Sequence, residues 1–124
     1  MVLHFEHSPQ FAKDLKTLTK KWRSIPHDLD KAKLAITPLY IPIAGVDMEE
    51  LRDSFFATKR ATILQSDENY EVVKMRFDCA ALGSDRKTRL VFVSFVKGST
   101  ITFVELYNKA ENPREDPKRY TLYL

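Results

Sequence analysis

The chain has 124 residues, 44% apolar and 30% charged, with a formal net charge of +3. That length suits one domain, read as 1–124, and the composition is that of an ordinary soluble globular protein. No apolar run approaches the ~18 residues of a membrane-spanning helix, and Cys79, the one cysteine, excludes an intramolecular disulfide and points to a reducing, cytoplasmic setting.

The opening MVLHFEHSPQF lacks the basic segment and long apolar core of a secretory signal. Residues 3–6 read as a short edge strand. Ser8-Pro9 is a helix cap followed by proline at the first helical position. Phe11, Leu15, Leu18 and Trp22 then recur at helical spacing, with Lys13, Lys16, Lys20 and Lys21 around the apolar stripe. Pro26 is expected to end this helix, and 28–37 to form a second, with Leu29, Ala32 and Ile36 inward. Two helices so closely joined predict an antiparallel hairpin laid on one face of a sheet.

Residues 38–45, PLYIPIAG, hold two prolines among apolar residues and read as an extended connector. Asp47 with Glu50 three residues later resembles a capping box, and Met48, Leu51 and Phe55 predict a short third helix. Residues 60–65 alternate as a strand does, and 66–69 form a turn.

From 70 to 109 the chain reads YEVVKMRF, a polar loop, RLVFVSFV, KGS and TITFVELYNK. Three runs rich in Val, Phe, Ile and Tyr predict strands of an antiparallel meander, so the fold class is α+β with a sheet of about four to five strands. Alternation places Lys74 and Arg76 on one face with Val72, and Glu105, Tyr107 and Lys109 on one face of the last strand. If KGS is a three-residue loop, Arg89 lies opposite Tyr107 and Val91 opposite Glu105; a one-residue slip would swap the faces. Beyond them, Asn112-Pro113 and Asp116-Pro117 are both cap-plus-proline pairs. An interior proline costs about 3 kcal/mol, so the last helix is expected to start near Pro117 and to span about two turns.

Metal and cofactor chemistry find little support. On a strand His4 and His7 point to opposite faces, Cys79 has no cysteine partner, and no zinc-ligand spacing is present. Three glycines provide no Gly-rich phosphate cradle. Cys79 reads as a small apolar residue after a strand rather than a nucleophile.

The sequence's main functional signal is cationic. Residues 11–33 carry seven Lys/Arg against three Asp, a basic surface suited to RNA, DNA or an acidic protein segment. Lys74, Arg76, Arg89 and Lys109, with Arg114 or Arg119, stand where strand ends meet the C-terminal segment. Arginine grips phosphate through paired hydrogen bonds, and such a cluster can stabilise charge developing on a scissile phosphate. Cleavage of RNA further needs a base for the 2′-hydroxyl and an acid for the leaving oxygen. Glu105 or a lysine is the candidate base, and Tyr107 or Tyr120 the acid or stacking partner. Solvated charges at strand ends account for the same pattern.

The basic helix FAKDLKTLTKKW, a second helix, then VVKMRF, RLVFVSFV and ITFVELYNKAENPRED together resemble the RelE/ParE superfamily of type II toxin–antitoxin toxins. The likeness runs over most of the chain and is strongest in FVELYNKAENPREDPKRY. It implies an antiparallel sheet with a helical hairpin on one side. It also implies a ribosome-dependent mRNA endoribonuclease (an mRNA interferase that inhibits translation) working without a metal or other cofactor. By position, Lys74 and Arg76 match the strand lysine and arginine of RelE-like members, and Arg89 the arginine opening the next strand. Glu105, Tyr107 and Lys109 are the further catalytic candidates. Lys13, Lys16, Lys20, Lys21, Arg23, Arg114 and Arg119 would contact RNA phosphates. Val72 stands where some members have a second lysine, and Ala110 where a catalytic arginine is expected. The implied partners are a cognate antitoxin, the ribosome and mRNA. ParE-like members share the fold and inhibit DNA gyrase instead, and a non-enzymatic basic interaction domain is the third alternative.

Overall fold

A computed structural model of the protein describes residues 3–58, 60–83, 86–95 and 99–124. Five strands form one sheet: β1 (His4–His7), β2 (Ala61–Ser66), β3 (Tyr70–Arg76), β4 (Thr88–Phe95) and β5 (Thr100–Asn108), in the order β1-β5-β4-β3-β2. Among the described residues, four α-helices accompany it: α1 (Pro9–Lys21), α2 (Ile25–Tyr40), α3 (Met48–Ala57) and α4 (Pro117–Thr121). None is long and apolar enough to cross a membrane.

The β2-β3-β4-β5 ladder is antiparallel, as its alternating pattern predicts, but β1 runs parallel to β5. The sheet is therefore mixed rather than wholly antiparallel. Parallel neighbours cannot be joined by a tight turn; β1 reaches β5 only after the whole intervening chain has been laid down, and no local sequence signal marks the pairing.

Helix α1 begins as expected, with the Ser8 hydroxyl accepting the Phe11 N–H at 3.1 Å. The ends of α2 differ from expectation. Pro26 does not end α1; it lies in the first turn of α2, where its missing N–H is no loss. Pro38 lies inside α2, which continues to Tyr40. The carbonyl that Pro38 leaves unpaired belongs to Leu34, a residue 75% exposed, where water can satisfy it. The Thr37 hydroxyl donates to the Lys33 carbonyl at 2.8 Å and holds this last stretch in register. Helix α3 is capped by the Asp47 carboxylate, which accepts the Glu50 N–H at 3.2 Å.

One sheet face carries Val73, Met75, Leu90, Phe92, Ile101 and Phe103, which pack with Phe11 and Leu18 of α1 and Leu29 and Ile36 of α2. Phe11 and Phe103 stack with ring centroids 5.3 Å apart. Buried Asp28 of α2 accepts the Ser24 hydroxyl at 2.7 Å and the Ala80 N–H at 3.1 Å, tying the helix start to the β3–β4 connection. The opposite face carries Val72, Val91, Val93, Val104 and Tyr107, and onto it the C-terminal segment lays Tyr120 and Tyr123. That second face holds the site.

The register is that of the three-residue hairpin at its far end, with Arg89 opposite Tyr107 and Val91 opposite Glu105. A bulge between Val91 and Phe92 then shifts the pairing by one, ending with Phe95 opposite Thr100. The expected KGS loop falls partly on residues outside those described, Lys97 and Gly98.

Candidate functional site

Strand pairing builds the centre of the site. Arg76 near the end of β3 lies directly across from Arg89 at the start of β4, and Arg89 lies directly across from Tyr107 of β5. Three consecutive strands thus deliver two guanidinium groups and a phenol side by side. Among the described residues, neither guanidinium forms an ion pair with a carboxylate. Arg89 Nη1 donates to the carbonyls of Arg86 at 2.5 Å and Thr88 at 3.1 Å, which aims the group without neutralising it. Burial, then the Arg76 charge, lowers the Arg89 pKa from its ordinary value.

Among the described residues, two polar atoms here are buried without a hydrogen bond of normal length, Arg76 Nε and the Tyr107 hydroxyl, the latter facing the Glu115 carboxylate at longer range. Tyr107 is 3% exposed. Burial first, then the Glu115 and Glu105 charges, push its pKa up to about 12, so the phenol keeps its proton at neutral pH. Buried donors that find no partner in the protein are uncommon, because each one forfeits its hydration. Two guanidinium groups without a carboxylate ion pair among the described residues, one with an orphaned Nε and both beside a phenol, make a site suited to an anion.

The C-terminal segment closes one side. Glu115, buried at 7% exposure, accepts Lys74 Nζ at 3.0 Å. Burial opposes its charge, but its own backbone and Lys74 outweigh that, and the carboxyl titrates below its ordinary value. Glu105 is held differently: one oxygen accepts the Asp116 N–H at 2.9 Å, and burial raises its pKa. The face therefore carries one carboxylate held ionised by a lysine and another disposed to hold a proton.

No protein-family model and no curated sequence matches the chain. Among solved structures, the archaeal RelE–RelB complex from Pyrococcus horikoshii OT3 matches with a TM-score of 0.53 and 13% identity, over 88% of this chain and 97% of that one. The fold is RelE-like.

Within this RelE-like fold, Lys74, Arg76, Arg89, Glu105 and Tyr107 gather on one face. Lys109 does not join them as closely. It is exposed past the end of β5, its N–H donating to the Lys87 carbonyl at 2.8 Å. Arg114 is exposed and lies 3.9 Å from Glu115. Arg119 is committed to packing: it grips both carboxylate oxygens of Asp14 on α1 and donates to the Val104 carbonyl at 3.3 Å. On the first helix and just beyond it Lys13, Lys16, Lys20 and Arg23 are exposed, while Lys21 meets Glu111 at 2.5 Å. The described residues contain no group of His, Cys, Asp and Glu side chains able to hold a metal.

Glu115 and Asp14 are the residues that sequence reasoning passes over. Glu115 sits in a polar stretch between two prolines, where a carboxylate reads as a solvated turn residue. Asp14 is an acid among lysines on a helix surface. The one signal for either is charge imbalance: a strand lysine entering a buried face requires a counter-charge, and a tail carboxylate is the available source.

Proposed function

We propose that this chain is a type II toxin of RelE type, an endoribonuclease that cuts mRNA on the ribosome. The observation that carries the reading is the pair of opposed arginines, Arg76 and Arg89, free of carboxylate ion pairs among the described residues and flanked by the buried Tyr107 phenol. In this reading the two guanidinium groups hold the non-bridging oxygens of the scissile phosphate, where their charge counts most as the phosphorane forms. A carboxylate takes the 2′-hydroxyl proton, and that oxygen attacks phosphorus to give a 2′,3′-cyclic phosphate. The leaving 5′-oxygen takes a proton from Tyr107. Glu115 is the favoured base because Lys74 keeps it ionised beside Tyr107; Glu105 is the second candidate. Once Glu115 holds the proton, Lys74 loses its counter-charge and its cation becomes available to the negative charge developing on the phosphorane.

The exposed Lys13, Lys16, Lys20 and Arg23 would dock ribosomal RNA by phosphate neutralisation, which gives affinity without sequence preference. Lys109 and Arg114 extend this surface toward the site. Arg119 has mainly a scaffolding part, since Asp14 already satisfies it. The structural neighbour is a RelE–RelB complex, and a RelB-like antitoxin covering the cationic face is the partner we propose here.

The test is induced expression in a bacterial host of the parent chain and of Arg89→Ala, followed by primer extension on a translated reporter. Growth arrest with cuts at translated codons, both lost in the variant, supports the reading. Arrest with intact mRNA in both transfers it to a gyrase-type inhibitor, checked by a supercoiling assay. Normal growth with the parent removes the enzyme claim.

A further inference from the structure

A second cationic surface adjoins the first. A cavity of about 630 Å³ lies between α2, α3 and the end of β3, floored by Pro38, Leu51 and Phe55 and rimmed by Arg60, Arg76 and Arg86. Asp78, also on the rim, pairs with Arg60 at 3.1 Å. The remaining two arginines are unpaired by carboxylates among the described residues, so the rim is net positive over a largely apolar floor. Arg76 belongs both to this rim and to the opposed pair, and the Arg86 carbonyl holds Arg89 in place. The two surfaces meet at Arg76, at the end of β3.

We propose that this cavity is a subsite for a nucleotide of single-stranded RNA flanking the scissile phosphate. Its base would lie on Phe55 and Pro38, and its phosphate on Arg86, with Arg60 exchanging its Asp78 contact for the incoming anion. An apolar ring-sized floor with guanidinium groups at the rim is how proteins hold single strands: stacking takes any base, and the cations follow the backbone. The volume is in the range of ordinary ligand sites, about 300–1,000 Å³. Continuity through Arg76 favours one polymer spanning both surfaces over a separate acidic peptide. The proposal rests on the phosphate reading of Arg76 and Arg89, and the experiment separates the two.

The full chain is titrated by fluorescence anisotropy with a labelled 2′-O-methyl hexauridylate, which binds but cannot be cut. Arg60 and Arg86 are exposed, so the double change Arg60→Ala/Arg86→Ala leaves the core alone; Phe55→Leu keeps the floor apolar but removes the ring. The expected result is about a tenfold loss of affinity for the double variant with a salt slope lower by one to two. Phe55→Leu should lose at least about fivefold. Unchanged binding by both variants, with binding lost in Arg89→Ala, overturns the subsite and leaves the phosphate reading intact. Weakening in the groove variants with Arg89→Ala unchanged shows that the cavity holds single-stranded RNA but removes the phosphate reading, and with it overturns the placement beside a scissile phosphate. Binding of an acidic decapeptide in place of RNA overturns the proposal and makes the groove a protein-docking site.

Discussion

Replacing Arg76 with methionine should make the protein more stable and the site useless. Arg76 and Arg89 are opposed across β3 and β4, and like charges so placed destabilise a sheet by about 0.2–1 kcal/mol. Arg76 Nε is buried without a partner, a condition that costs about 1–3 kcal/mol when water is wholly excluded. Arg76 is only half-buried, which puts the desolvation penalty at the low end. Methionine keeps the unbranched stem and discards both penalties, so the expected net gain is about 1 kcal/mol. For a chain of this length that corresponds to a rise of about 3–6 °C in Tm. Thermal melts should be run at about 0.02 M and about 1 M NaCl, since at the higher salt the screening length falls to about 3 Å. The parent should gain more from salt than the variant, narrowing the gap, while RNA binding by the variant falls at least tenfold. A variant that melts below the parent, or a gap indifferent to salt, would refute the view that Arg76 is a strained functional cation.

Three further predictions concern the supports of the site. Asp14→Ala strands both Arg119 and the Leu106 N–H, which now reaches an Asp14 oxygen at 3.1 Å; with the pair partly exposed, urea unfolding should show a loss of about 2 kcal/mol, and a change below about 0.5 kcal/mol would mean that the tail is held by its tyrosines alone. Burial raises the Glu105 pKa, so the stability this group lends is present below its unfolded pKa and is lost as pH rises through the folded one. Glu105→Gln, which keeps the oxygen facing the Asp116 N–H, should therefore melt above the parent at neutral pH and match it near about pH 4. Glu115 is the reverse case: its lowered pKa gives stability that is present above the unfolded value and lost as pH falls through the folded one. Glu115→Gln should melt below the parent at neutral pH, with the gap closing in acid; a constant gap across that range would show that Lys74 does not depend on its charge.

Local patterns told most about the meander. Alternation in β3, β4 and β5 gave their faces, and hairpin geometry placed Arg89 across from Tyr107, because strand parity and a short connection leave few registers. The helix caps at Ser8 and Asp47 were readable for the same reason: each is a contact three residues long. Prolines misled twice. A proline stops a helix only where its N–H is needed or its ring meets the preceding turn, and neither Pro26 nor Pro38 meets that condition strongly. The parallel pairing of β1 with β5 and the entry of Glu115 beneath the tail were illegible, since both depend on partners brought together only by the complete fold. The cations of the site could be nominated from residue type; the counter-charge that organises them could not.

The parallel β1–β5 pairing also bears on how the molecule comes into being. During synthesis, β1 and α1 emerge with their neighbouring strand still unmade, and the Asp14 carboxylate waits for an arginine 105 residues downstream. Such distant closures slow folding, because the loop entropy must be surrendered before the contacts compensate for it. The β3–β4 pair opposes the two arginines by itself, but the phenol joins them only once β5 has docked between β4 and β1. The three-strand site is therefore complete only after β5 has been made; before that, β3 and β4 present two arginines without their phenol.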